Sequence, residues 1–185
     1  MILPPAPLKL RTLRVSDLPA VLPIEARSFA TPTSENLFRR ELTENRLAHH
    51  QALLIEEGQE HEILVGYAGY WVMADEVHVT TIAVDPPWRG HGFGELLLLD
   101  MLYAAIELEA ALVTLEVREH NTVAQSLYGK YGFERVGLRR NYYRDTGEAA
   151  ILMTLALNER PQYDSRLRAL QEALFARLKG FSVAS

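Results

Sequence analysis

The segment Arg89-Gly90-His91-Gly92-Phe93-Gly94 concentrates more chemistry than any other part of the sequence. It lies between a β-branched run, Val77 to Val84, and an apolar helix-forming run, Glu95 to Ala110. Glycines at such a junction let backbone N–H groups converge on an anion, and the following helix N-terminus adds about half an elementary positive charge. A pyrophosphate is the natural guest, and Arg89 can add a charge-assisted contact. A glycine-rich turn with no ligand is the plain alternative. Two familiar nucleotide loops fit poorly. A P-loop ends in Gly-Lys-Ser/Thr, whereas Gly94 is followed by Glu95 and Leu96. A dinucleotide fingerprint needs a third glycine where Glu95 stands, and Asp85 to Arg89 part the strand from Gly90 too widely for its tight turn.

Other reactive groups are sparse. Cysteine is absent, which excludes structural disulfides, thiolate zinc sites and an acyl-cysteine intermediate. The six histidines include no pair at metal-ligand helical spacing, so no metal is expected. His49 and His50 are expected in a solvated loop. His78 alternates with apolar neighbours, as a strand-surface histidine or as a wall of an amine site.

The elements that must position the glycine loop follow from periodicity. Leu8 to Arg14 alternates as a first strand. Ser16-Asp17 offers a helix cap with Pro19 in the first turn, and Pro23 predicts an irregular start. Thr33-Ser34 caps a second helix carrying Leu37, Phe38 and Leu42. Ala52 to Ile55 and Ile63 to Met73 read as strands on either side of a turn containing Gly58, and Val77 to Val84 as a third. After the loop, Glu95 to Ala110 is apolar around most of its circumference, the mark of a buried helix. Leu112 to Val117 is a strand, Thr122 to Tyr131 a short helix stopped by Gly132, and Phe133 to Tyr143 with Ala149 to Leu157 flank an Asp145-Thr146-Gly147 turn. The order β-α-α-β-β-β-α-β-α-β-β predicts a single α/β domain over residues 1–157. Residues 158–185 form a helical extension, with Leu167, Leu170, Leu174, Phe175 and Leu178 on one stripe. That stripe packs on its own domain or forms a homodimer contact.

The 185 residues suit one domain, and 48% hydrophobic with 23% charged residues is ordinary globular composition. A net charge of −5 argues against a nucleic-acid surface. The longest apolar run is too short to span a bilayer, and Pro4, Pro5 and Pro7 disrupt any secretory signal. The expectation is a cytoplasmic protein with no membrane or nucleic-acid partner.

The pattern Arg89-x-x-Gly92-x-Gly94 after Ile82-Ala83-Val84-Asp85-Pro86 resembles the acetyl-CoA loop of the GNAT superfamily of N-acetyltransferases. The likeness continues through Leu115 to Tyr143 (LEVREHNTVAQSLYGKYGFERVGLRRNYY), which is similar to the RimI-type branch that acetylates protein N-termini, a ribosomal protein among them. It covers roughly Ser16 to Leu157. The resemblance implies a mixed, mostly antiparallel central sheet with one splayed parallel strand pair, flanked by helices.

It also implies roles. The backbone of Ile82, Ala83 and Val84 would bind the pantetheine arm like an added strand, and an N–H near Ala83 or Val84 would stabilise the thioester oxyanion. Gly90, His91, Gly92, Phe93, Gly94 and Glu95 would hold the pyrophosphate through their main chain, helped by Arg89. Asn121 matches a cofactor-contacting asparagine. Glu116 matches the family's proton acceptor and Tyr128 its proton donor, the latter protonated at neutral pH because a phenol has a reference pKa of about 10. Tyr142 and Tyr143 match a segment near the peptide cleft. Thr33 stands where the RimI-type segment usually has an aromatic, and would face the acceptor.

The expected activity is direct transfer of acetyl from acetyl-CoA to an amine, foremost a protein N-terminal α-amine, with no metal. A small-molecule amine, a lysine side chain, or a non-catalytic acyl-CoA-binding module are the alternatives.

Overall fold

The computed structural model describes residues 1–58, 61–157 and 160–181. Its strands are β1 (Leu8–Thr12), β2 (Ala48–Glu57), β3 (His61–Met73), β4 (Glu76–Val84), β5 (Leu112–Arg118), β6 (Glu134–Tyr143) and β7 (Glu148–Ala156). Its α-helices are α1 (Leu18–Ser28), α2 (Glu35–Thr43), α3 (Phe93–Glu107), α4 (Thr122–Lys130) and α5 (Arg160–Leu178). The strands form one seven-stranded sheet in the order β1-β2-β3-β4-β5-β7-β6. Among the described residues only β4 and β5 pair in parallel; every other neighbouring pair is antiparallel. The expected α/β class, element order and parallel pair are all present.

Two hydrophobic clusters flank the sheet. The larger joins α3 and α5 to one face through Leu96, Leu97, Met101, Leu167 and Leu174. The smaller packs α1 and α2 on the other face, where Leu18, Val21, Ile24 and Phe38 meet Ala52, Leu54, Tyr67 and Ala83. Fully burying a side chain of this size stabilises the fold by about 1.5–3 kcal/mol, so both layers are strongly held. The apolar stripe of the C-terminal extension is therefore occupied within its own chain: Leu167, Leu174 and Leu178 are buried in the larger cluster. The expected domain boundary falls beside residues 158 and 159, which lie outside the described residues, as do 182–185 of the extension.

Several local differences have physical causes. β2 starts at Ala48, not Ala52, because β3 is long enough to pair from Ala48↔Trp71 through to Glu57↔His61. His49 and His50 consequently lie on a strand, not in a solvated loop: His49 stacks on Tyr70 at 5.1 Å, and His50 sits 5.6 Å from the Phe38 ring. α1 runs through Pro23 after a short 3-10 turn at Val15–Asp17. The partner that Pro23 denies is the carbonyl of Pro19, in the first turn, where the loss is small. α3 starts at Phe93, two residues earlier than expected, because left-handed Gly92 (φ 90°) serves as its N-cap. Among the described residues no helix is long and apolar enough to cross a membrane.

Candidate active site

β4 changes character half-way along. Val77 and Val79 face the α3 layer, but the register against β3 slips between Gly69 and Tyr70, leaving Thr80 as an extra residue. Such a bulge inverts the side-chain alternation. Beyond it Ile82 and Val84 pack toward α3, while Ala83 joins the α1 cluster. The parallel pairing with β5 also stops there: it runs from Glu76↔Leu112 to Val79↔Leu115 and no further. Thr81 to Val84 therefore pair with β3 on one side and have no β5 partner on the other, where the Val84 carbonyl accepts from Arg89.

That edge opens into a cleft of about 780 Å³, lined by Thr80, Thr81 and Ile82 of β4, Leu115 to Arg118 of β5, and Tyr128 of α4. Thr33, Tyr142 and Tyr143 line it as well, as does Asn121. Of the residues named from the sequence, Ile82, Glu116, Asn121, Tyr128, Thr33, Tyr142 and Tyr143 thus share one cavity. Ala83 is buried, and neither it nor Val84 nor the loop from Arg89 to Glu95 lines this cavity.

In the loop, Gly90 (φ 84°) and Gly92 (φ 90°) adopt the left-handed conformation that side chains disfavour. Among the described residues no side chain caps α3, which leaves the first-turn N–H groups of Phe93, Gly94 and Glu95 for an anion. The Phe93 side chain is buried, so only its main chain can face a ligand. Arg89 is largely committed elsewhere: Nε donates to the Val84 carbonyl at 2.9 Å and Nη2 to Ser28 Oγ at 2.9 Å. It ties the loop to the end of β4 and to α1, beside the bidentate Arg27–Asp85 pair. The Asn121 side chain likewise caps α4 by accepting the Ala124 N–H at 3.1 Å.

Glu116 is on β5. Val113, Leu115 and Val117 face α3, which turns Thr114, Glu116 and Arg118 to the opposite face. Glu116 Oε1 accepts from Arg139 Nη1 at 2.9 Å, and Oε2 lies 3.1 Å from His78 Nε2. The Thr114 hydroxyl donates to Glu76 at 2.5 Å, so it must accept at its 2.8 Å contact with His78 Nδ1. With Nδ1 a donor to Thr114, His78 faces Glu116 through Nε2. Tyr128 packs its ring 5.7 Å from that of Phe133. Burial, with Tyr143 adding to it, pushes the Tyr128 phenol up to about 12.

The end of the cleft lined by Thr33 and Tyr143 is built from long-range contacts. The Glu25 side chain, buried in α1, accepts the Tyr67 hydroxyl and, at 2.7 Å, the backbone N–H of Thr33. It thereby fastens the connection between α1 and α2. Burial and the Glu25 carboxylate push the Tyr67 phenol well above its usual range. Opposite, Arg118 stacks 3.9 Å over the Tyr143 ring and bonds Asp145 and Glu148, fixing the β6–β7 turn. Tyr142 is exposed and edge-on to Tyr143 at 5.1 Å.

The profile of the Acetyltransferase (GNAT) family matches residues 18–133. The chain belongs to the GNAT family. It is an acetyl-CoA-dependent N-acetyltransferase of that family. A Bacillus subtilis (strain 168) relative is 40% identical over 149 residues, 80% of this chain and 95% of its own. The ribosomal protein bS18-alanine N-acetyltransferase of Escherichia coli (strain K12) is 35% identical, over 80% of this chain and 96% of its own. The crystal structure of the E. coli ribosomal-protein-S18-alanine N-acetyltransferase aligns with a TM-score of 0.71 at 33% identity, covering 80% of this chain and 93% of that one.

Within this GNAT domain, sequence reasoning missed Glu25, Glu41, His50 and Trp71, all of which line the cleft. Glu41 accepts the Trp71 indole N–H at 3.2 Å. Glu25 and Glu41 read as ordinary helix residues because the aromatic groups that hold them arrive from β3. The signal within reach was Glu25 itself, a carboxylate beside Ile24 on the apolar side of α1. Among the described residues no cluster of three or more His, Asp or Glu is placed to hold a metal ion.

Proposed function

We propose that this GNAT protein transfers acetyl from acetyl-CoA to the N-terminal α-amine of a protein, by direct attack in a ternary complex. The observation that carries the reading is the edge of β4 that β5 does not cover, opening into the same cleft as Glu116 and Tyr128. The resemblance to ribosomal protein alanine acetyltransferases supports a peptide acceptor. So does a cleft walled by the tethered α1–α2 connection on one side and the β6–β7 turn on the other.

The chain's own residues fit the cofactor: two left-handed glycines, a helix start with no side-chain cap, and a strand edge that β5 does not cover beyond Val79. Acetyl-CoA supplies the acetyl group as a thioester. The main chain of Gly90 to Glu95 holds the pyrophosphate, Arg89 braces that loop, and Asn121 closes the far side. Ile82, Ala83 and Val84 hold the pantetheine arm by strand-like hydrogen bonds, and an N–H near Ala83 or Val84 stabilises the developing oxyanion. Glu116, through water, takes the proton that the amine sheds as its nitrogen bonds to the acetyl carbon. Tyr128 gives its proton to the sulfur as the C–S bond breaks. Thr33, Tyr142 and Tyr143 flank the acceptor.

Two measurements test this reading. Peptides with free N-termini should release CoA, whereas the same peptides blocked at the N-terminus and carrying internal lysines should not. Turnover only with lysine or with small amines would move the acceptor class. Separately, kcat/KM should rise with pH until the acceptor amine is neutral, at about pH 8, and stay level to about pH 10. The raised pKa of Tyr128 keeps the donor protonated over that span. A falling limb between those values would argue against Tyr128 as the acid.

A further inference from the structure

α5 runs antiparallel to α3 and ends on the glycine loop. Gln171 accepts the Tyr103 hydroxyl at 2.5 Å near the end of α3, and Arg177 Nη2 reaches Glu95 Oε2 at 2.6 Å in its first turn. A Cβ placed on Gly92 would lie 3.2 Å from Leu174 Cδ1, 3.8 Å from Leu178 Cδ2 and 4.0 Å from Arg177 Nη2. Just beyond the helix, the Phe181 ring meets Phe93 at 5.1 Å and His91 at 5.4 Å, both edge-on, with Trp88 at 6.2 Å. The back of the loop is thus made by the C-terminal extension, and its front is left for a ligand.

Glu95 explains why this matters. It is a buried carboxylate in the turn whose N–H groups would receive a pyrophosphate, and unneutralised it would repel that anion. Oε1 accepts from Lys130 and, at 2.9 Å, from the Tyr131 hydroxyl, while Oε2 takes Arg177. Lys130 and Arg177 together outweigh the single carboxylate by one positive charge. These hydrogen bonds prevail over burial and hold the Glu95 carboxyl below its usual range, so it stays ionised at neutral pH.

We propose that α5 is part of the cofactor site, with Arg177 as a positioning residue that turns the first turn of α3 net positive and Phe181 as the wedge that holds the loop. The inference rests on the assignment of this loop to the phosphates of acetyl-CoA. Removing Arg177 leaves Glu95 its bonds to Lys130 and Tyr131, so the fold is kept while the positive excess is lost. Preformed, the loop binds without the entropy cost of ordering itself.

The test is Arg177→Met, Arg177→Lys and Phe181→Ala in the full chain. CoA affinity is read by titration calorimetry, alongside kcat, both KM values and the melting temperature. Arg177→Met should raise the CoA Kd and the acetyl-CoA KM by about three- to tenfold, the scale of one charge at a helix terminus. The acceptor KM, kcat and melting temperature should hold. Arg177→Lys should recover most of the loss, and Phe181→Ala should weaken CoA binding in the same direction. Wild-type CoA affinity in both Arg177→Met and Phe181→Ala overturns the proposal. So does a loss shared by kcat and both KM values together with a lower melting temperature. If the wild-type protein itself fails to bind CoA, the loop assignment falls first.

Discussion

Tyr128→Phe is expected to lower kcat by about a hundredfold or more while leaving the Kd for CoA within about twofold. The substitution keeps the ring that packs on Phe133 and removes only the hydroxyl, so stability and cofactor binding have little reason to change. The size of the loss follows from proton supply. With its pKa pushed up to about 12, Tyr128 is fully protonated at every working pH. Giving that proton to a thiolate with a reference pKa of about 8.5 is uphill in water. In the cleft the same loss of hydration that raises the phenol raises the thiolate too, and the gap narrows. The variant must expel a bare thiolate instead. An unchanged kcat would remove Tyr128 from the reaction.

Glu116→Gln should also cut kcat by about a hundredfold at neutral pH, with the affinity for CoA retained. Glutamine preserves the shape and can accept from Arg139 or His78, so the distances of 2.9 and 3.1 Å need not change. What it cannot do is hold the proton shed by the amine. The deficit should therefore shrink as pH rises past about 8, where solvent delivers the α-amine already neutral. A deficit of the same size at every pH would mean that Glu116 orients the acceptor and does not take its proton.

Much of this site is legible in the sequence because its signals are local. The glycine loop, the strand before it and the apolar helix after it are contiguous, and Glu116, Asn121 and Tyr128 follow within one strand–helix unit. Burial of α3 was equally plain, since Leu96 to Leu99 admit no polar face. What could not be read depends on partners distant in the chain. The bulge at Thr80 shows only as a change of phase in VHVTTIAV, from Val77 and Val79 to Ile82 and Val84, and its position is set by the register against β3. Glu25 gains its environment from Tyr67, 42 residues away, and His50 from Phe38. For α5, the three- and four-residue spacing defined which face is apolar, but periodicity carries no information about what covers that face. The larger cluster does, through Leu167, Leu174 and Leu178. Arg89 shows the opposite limit: its type suits a phosphate, yet two of its donors are spent on Val84 and Ser28.

The position of β7 between β5 and β6 bears on how the protein comes into being. β5 pairs with β4 only from Leu112 to Leu115, so Glu116, Val117 and Arg118 are held in the sheet by Leu152, Ile151 and Ala150 of β7. Among the described residues β6 in turn has no strand neighbour but β7. During synthesis the strand bearing Glu116 therefore emerges well before the one that sets its backbone. Closing that long loop is a late and slow event, as non-local pairings are. The glycine loop waits longer still, because Leu174 and Phe181, which pack behind Gly92 and Phe93, follow β7 in the chain. Maturation of this enzyme is then ordered by topology: the carboxylate strand is set when β7 arrives, and the loop is braced only once α5 has followed it.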